Sequence, residues 1–465
     1  MEAGSVRPIF DNGATRARAR AWGTWMLFAG ACGAAWALQP CRSAAAEIAA
    51  LAALAGGSAL ILVRPQPRKI PVLNYHSVSA DPEWMRIGPR VSLPPEAFER
   101  QLLYLKRHGY QTLFVSELCD LLADGNRATG TEKHVALTFD DGYADNWIAV
   151  FPLLRRHGMK ATLFVATDFI ADATACRPTA EESQGRSVDW SGYLTWPELQ
   201  AMQASGLVEV QPHGRSHARV FARPHLRGFV GPGKPNLWLF WNMCPELRPR
   251  WWRELERDRS LWGQPVFAQA PALAERAYRP NTAAVQNLRA WVTEQGTALF
   301  EQSDWEERLR ERWARAEAHA GSGTFESDVE YERRVAEEIG GARAALAIRL
   351  GAKADVLCWP ENAFSEAGER LARRAGCRAT VSNRHDSRNM PGEAPDRLVR
   401  VFIGSHALGF PHPFWDFAAF VLELKVFEGR YVWYPWLAVM HLVKKAVSIA
   451  GRRCQCPQDY LSIWE

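Results

Sequence analysis

Val135-Ala-Leu-Thr-Phe-Asp140-Asp141-Gly142-Tyr143 decides the reading of this chain: residues 135–139 suit a covered strand, and they run directly into two adjacent carboxylates and a glycine. β-Branched and aromatic residues favour the pleated, half-buried surface of a sheet. On the downstream side, residues 146–157 have helical spacing and are closed by Gly158, and residues 161–165 return to strand. Upstream lie a short apolar strand at 71–75 and an amphipathic helix at 95–108 carrying Phe98, Leu102, Leu103 and Leu105. A strand at 112–114 and a helix at 115–122 follow. Strands alternating with helices at this spacing imply a parallel sheet, open or closed into a barrel. In such sheets the active site is built at the C-terminal ends of the strands, which is where Asp140 and Asp141 fall.

The pattern continues with a helix at 196–204 stopped by Gly206 and a strand at 207–210 that leads into His213-Gly-Arg-Ser-His217. Two histidines at i and i+4 aim at one point if the segment turns helically. Together with one carboxylate they would make an open, zinc-type site with room for water. Regular alternation then lapses over residues 221–326, an Arg-, Pro- and Trp-rich insertion, and resumes with a helix at 331–350. A strand at 356–358, a helix at 365–375, a strand at 379–382 and a last core strand at 398–403 complete the domain.

The chain has 465 residues with 56 basic and 51 acidic side chains, a net charge of +5. Both signs are spread along its length, which argues against nucleic acid as a partner. Nine cysteines are scattered without a paired framework and read as buried thiols. Two apolar, Ala- and Gly-rich stretches, 21–38 and 44–63, are flanked by Arg16, Arg18 and Arg20 on one side and Arg64, Arg68 and Lys69 on the other. Residues 1–68 therefore read as a membrane anchor, a two-helix hairpin with both ends cytoplasmic by the positive-inside rule. Insertion of one run alone would put the domain on the opposite face, and a buried Ala-rich helical pair is the non-membrane alternative. The expected location is at an inner or plasma membrane. Residues 411–465 form a C-terminal aromatic extension, suited either to a lipid interface or to ordinary packing.

Thr138-Phe-Asp-Asp-Gly-Tyr143 followed by His213-x-x-x-His217 resembles the polysaccharide deacetylase (NodB homology) family of carbohydrate esterases. Pro71-Val-Leu-Asn-Tyr-His76, Lys160-Ala-Thr-Leu-Phe-Val165 and Leu194-Thr-Trp-Pro-Glu-Leu199 are similar to further family segments, so the resemblance spans about residues 69–404. It implies a distorted (β/α) barrel over residues 69–410 and hydrolysis of the acetamide of an N-acetylated sugar. Carried onto this sequence, Asp141, His213 and His217 bind a divalent metal, zinc first, and Asp140 is the general base. Cys358-Trp-Pro-Glu361 resembles the third family motif, whose backbone N–H, here that of Glu361, faces the oxyanion. The family's arginine before this proline and aromatic after it are absent, so Glu361 could instead meet a sugar hydroxyl or an amine. Ile403-Gly-Ser-His406 resembles the late motif carrying the general acid, and His76 is a second candidate to line the pocket. The implied function is removal of an N-acetyl group from a hexosamine in a membrane-associated polysaccharide or glycolipid. Its partners would be an N-acetylated glycan or lipid-linked sugar and membrane lipid. Rival readings are another carbohydrate amide hydrolase, such as a deformylase, and a degenerate glycan-binding protein.

Overall fold

Apolar runs alternating with amphipathic stretches produce strands covered by helices in the computed structural model, which describes residues 69–454 apart from 86–90, 125–131, 184, 235, 255–258, 384–388 and 390–395. The two N-terminal apolar runs lie outside the described residues. Among the described residues no helix is long and apolar enough to cross a membrane.

In chain order the elements begin with β1 (Val72–Tyr75), β2 (Ser77–Val78), β3 (Ser92–Leu93), α1 (Pro95–Arg107), β4 (Tyr110–Leu113), α2 (Val115–Ala123) and β5 (Lys133–Asp141). A π-helical turn (Asn146–Val150) runs into α3 (Phe151–His157), followed by β6 (Ala161–Val165), α4 (Trp196–Ala204) and β7 (Val208–Pro212). Next come β8 (Arg219–Phe229), α5 (Leu237–Met243), β9 (Pro265–Pro271), β10 (Tyr278–Arg279), α6 (Thr282–Gln295), α7 (Trp305–Ala320) and β11 (Thr324–Phe325). The chain then forms α8 (Asp328–Leu350), β12 (Val356–Cys358), α9 (Glu366–Arg374), β13 (Ala379–Ser382), β14 (Arg397–Val399), β15 (Val401–Phe402), α10 (Pro413–Phe427) and α11 (Tyr434–Cys454).

The chain divides into two compact units. One holds the described residues up to Tyr75, those of Pro89–Thr138 and those from Asn383 onward; the other holds those of His76–Gly88 and Phe139–Ser382. In the first unit β1 pairs in parallel with β15, Leu73 opposite Val401, and β4 pairs in parallel with β5 from Tyr110–Lys133 to Leu113–Ala136. The apolar face of α1 buries Phe98, Leu102 and Leu105, with Tyr75 edge-on to Phe98 at 5.3 Å. Each such side chain contributes about 1.5–3 kcal/mol on leaving water. Helix α10 packs against α1 through Phe417 and Phe420 on Tyr104, each at 5.8 Å, so one face of the C-terminal extension belongs to this unit's core.

In the second unit β6 and β7 pair in parallel over five residues, from Ala161–Val208 to Val165–Pro212, and β12 pairs in parallel with β13. At α4 the Glu198 carboxylate accepts from the Thr195 N–H, and α8 starts with a full capping box, Ser327 with Glu330. Reciprocal caps of this kind satisfy the first free amides and are worth about 1 kcal/mol. These parallel pairings make the core an α/β structure.

The 221–326 segment departs from that plan. It is built on an antiparallel pair, β8 with β9, and on α6 and α7. Its aromatic residues divide between two cores. Phe229, Phe267, Leu288, Leu309 and Trp313 form one within the segment. Phe240, Leu247 and Trp251 form the other with Tyr143, Phe169 and Tyr193 from the strand–loop junctions.

Candidate active site

Asp140 and Asp141 end β5, and the chain must turn at once. Asp141 takes φ 71° and Gly142 φ 77°. A side chain at Gly142 would meet Ile170 and Val165 at 3.1 Å, so both the backbone angle and the space require glycine. The turn aims the two carboxylates differently: Asp140 is buried at 2% exposure, whereas Asp141 faces the histidines. His213 Nε2 lies 3.4 Å and His217 Nε2 3.5 Å from the same oxygen, Asp141 Oδ1.

The histidine pair does not lie on a helix. Residues 213–218 form a bent loop in which Gly214 has φ 77° and His217 φ 45°, which corrects the helical geometry expected from the i, i+4 spacing. Glu338 on α8 holds this loop. Its Oε2 accepts from the backbone N–H groups of Arg215 at 3.1 Å and Ser216 at 3.0 Å, and its Oε1 accepts from Ser216 Oγ at 2.8 Å. A single carboxylate thereby replaces the helical hydrogen bonds that the spacing suggested.

Each imidazole is fixed further. His213 Nδ1 is 3.0 Å from the Cys358 carbonyl oxygen, which commits Nε2 to the Asp141 side. The His217 ring stacks on Trp238 at 5.6 Å and 15°, and Trp238 also carries the Arg219 guanidinium over its face. Arg219 in turn lies 3.5 Å from Glu361 Oε2. Burial pushes the Glu361 carboxyl up to about 7, against the pull of Arg219. Glu361 itself sits at φ 53°.

Burial alone would raise the Asp141 carboxyl. The adjacent His213 imidazole and the charges of His217 and His76 outweigh it and hold the group far below the usual carboxylate range. Burial draws His217 down to about 4, so it is a neutral nitrogen donor near pH 7. The ligand atoms of Asp141, His213 and His217 lie within 4.8 Å of one another, and Asp141 Oδ1 is buried without a hydrogen-bond partner. One carboxylate and two imidazoles around an orphaned oxygen fit a divalent cation. Asp140 stands beside this set, with His76 Nε2 3.9 Å from its Oδ2 and Cys358 Sγ 3.8 Å from its Oδ1.

Sequence reasoning did not single out Cys358, Trp238, Arg219 or Glu338 for these contacts. Cys358 stood within a quoted motif, but nothing in the sequence ties Glu338 to a loop more than a hundred positions away. His406, expected as the general acid, belongs to the first unit, in the loop after β15, with φ 67° and its Nδ1 2.8 Å from Ser405 Oγ.

Residues 127–237 match the family model for polysaccharide deacetylase. The match identifies residues 127–237 as a polysaccharide deacetylase domain. A protein of Bacillus subtilis (strain 168) named for the same family, YxkH, is 31% identical over 152 residues, 33% of this chain and 44% of that protein. The poly-β-1,6-N-acetyl-D-glucosamine N-deacetylase of Escherichia coli (strain K12) is 26% identical over 155 residues, again 33% of this chain and 22% of that one. The chain thus spans less than half the length of either relative. Among solved structures, a de-N-acetylase from Aggregatibacter actinomycetemcomitans aligns over 72% of this chain and 95% of its own, with 18% identity and a TM-score of 0.45.

Glu338→Gln should keep the shape of the loop-holding side chain while removing its charge. The expected result is a metal affinity about 10- to 100-fold lower, measured by competition with a chelator, with little change in melting temperature. Behind the site, the buried Asp145 accepts from Ser77 Oγ at 2.6 Å, the Val78 N–H at 3.1 Å and Asn146 Nδ2 at 2.9 Å. Burial nevertheless lifts its carboxyl from 3.8 to about 6. The folded state then holds this proton more tightly than the unfolded chain does. Stability from this group is therefore present in acid and is lost as pH rises from about 4 through 6, by up to about 3 kcal/mol. Urea midpoints across that range should show this slope in the parent protein and a flatter one in Asp145→Asn.

Proposed function

We propose that the chain hydrolyses the N-acetyl group of a hexosamine within a membrane-associated polysaccharide or glycolipid. The observation that carries the reading is the convergence of Asp141, His213 and His217 beside a separate buried carboxylate, Asp140. Two nitrogen donors and one carboxylate favour zinc among the divalent cations. Bound there, the cation would supply a Lewis acid and lower the pKa of a coordinated water.

The chain's own residues then have distinct roles. Asp140, next to but outside the ligand set, takes the proton of the attacking water. The Glu361 N–H is assigned to the oxyanion, and His406 to protonating the departing amine. Trp238, stacked on His217, keeps that ligand from rotating. The sequence similarity to a poly-β-1,6-N-acetyl-D-glucosamine N-deacetylase supports an N-acetylhexosamine as the substrate unit. The two N-terminal apolar runs support a substrate close to a membrane.

The deciding experiment measures bound metal together with acetate and formate released from N-acetylated glycans and lipid-linked sugars. Acetate release that stops on chelation and returns with zinc is the expected result. Formate alone would turn the reading toward a deformylase, and glycan binding with neither acid released would turn it toward a binding protein. His406→Gln should lower kcat by about 100-fold or more at unchanged metal content, and a normal rate would remove His406 from the mechanism.

A further inference from the structure

An ion pair beside the metal ligands is left half satisfied. Arg219 starts β8, just after the ligand loop that ends in His217, and Glu361 stands in the short turn that follows β12. Arg219 Nη1 lies 3.5 Å from Glu361 Oε2, and the two side chains are only 12% and 6% exposed. Arg219 Nη2 also donates to the Gln269 carbonyl at 3.4 Å, and its guanidinium lies over Trp238, the ring that stacks on His217. These contacts leave one atom over on each partner. Arg219 Nε, a donor, and Glu361 Oε1, an acceptor, are both buried without a hydrogen-bond partner. Buried polar atoms are nearly always paired, so two orphans on one ion pair call for a group that reaches them. The reacting centre is near, since the charges of Asp141 and His213 both act on the Glu361 carboxyl.

The two free atoms are of opposite kind, and this selects what they bind. A cation would satisfy Oε1 but would meet the guanidinium beside it. An anion would satisfy Nε but would meet the carboxylates of Glu361 and Asp141. A hydroxyl both donates and accepts, so one hydroxyl, or two on adjacent carbons, satisfies both atoms and brings no charge. Where an acetamide is held at the metal, the hydroxyls at hand are those of the sugar that carries it. We propose that Arg219 and Glu361 together read a free hydroxyl of the hexosamine undergoing deacetylation. The inference rests on the deacetylase reading and adds a requirement on the substrate: a sugar lacking that hydroxyl, or carrying a substituent on it, is rejected because the buried pair stays unsatisfied. It also gives the Glu361 side chain a hydroxyl rather than an amine as its partner.

The test measures acetate released by the zinc-loaded full chain from N-acetylglucosamine oligomers and from their 3-deoxy, 4-deoxy and 6-deoxy forms. At least one deoxy form should lose about 10- to 100-fold in kcat/KM, the size of a hydrogen bond to a charged group. The same penalty should shrink to less than about threefold in Arg219→Met/Glu361→Met, which removes both orphaned atoms. Comparing substrates within one protein cancels any effect of the substitutions on the Glu361 N–H. Calorimetric binding of the four sugars to Asp140→Asn should rank them in the same order without turnover. The deoxy series on the parent tests the inference even if the double variant does not fold. Equal release from all four sugars would overturn the inference and leave the deacetylase reading standing. A penalty undiminished in the double variant would overturn it too, as would loss of zinc from a double variant with the parental melting temperature, which would make Glu361 a ligand. Release from none of the sugars would remove the deacetylase reading and this inference with it.

Discussion

Asp140→Asn is expected to fold and to take up as much zinc as the parent while its kcat falls by about two to four orders of magnitude. The substitution is nearly isosteric at a position with 2% exposure, so packing is kept. What changes is chemistry: an amide cannot accept the proton that leaves the attacking water. Asp140 is not the carboxylate that both imidazoles face, since His213 and His217 approach Asp141 Oδ1. Metal content by elemental analysis, alongside acid release, separates the two aspartates. A variant that loses its metal would show that Asp140 is a ligand and that the roles are reversed.

His217→Ala is expected to weaken metal binding by at least about 100-fold, more than loss of a supporting group alone would do. It removes one of three ligands and also the ring that stacks on Trp238. The effect should be visible without any activity assay. Zinc present at 100 times its dissociation constant stabilises a folded protein by about 2.7 kcal/mol, and the variant should show no such rise in melting temperature at the same zinc concentration. A zinc-dependent shift equal to that of the parent would remove His217 from the ligand set.

Much of the site could be read because strand and ligand are adjacent in the chain. β5 carries Asp140 and Asp141 at its own C-terminal end, and β7 delivers His213 one residue after Pro212. Strand periodicity by itself therefore places both groups at the ends of parallel strands. The helix boundaries at α1, α4 and α9 were legible for the same local reason, from apolar spacing and stop signals.

Local pattern failed where long-range contacts set the geometry. The His213–His217 spacing is compatible with a helix, but Glu338 offers the Arg215 and Ser216 amides a better partner and holds a loop. The Trp-rich segment gave no regular period because its antiparallel pair, β8 with β9, is irregular, with register shifts between Phe221 and Gly228. Its rings serve two separate cores, which composition cannot distinguish. The aromatic stretch 414–449 is interrupted by Lys425, Glu428 and Arg430 in the sequence, and the chain does part there into two helices; which side of them packs and which stays exposed was not legible.

By itself the sequence determined an α/β core, the strand ends that bear the carboxylates and histidines, and the pairing of residue types suited to a divalent cation. These follow from the period of the strands and from side-chain chemistry, both local properties. Tertiary structure alone decided what fixes each ring and which apolar side chains remain uncovered. Those outcomes depend on groups such as Glu338, Cys358 and Trp238 arriving from distant parts of the chain, where no sequence period reaches.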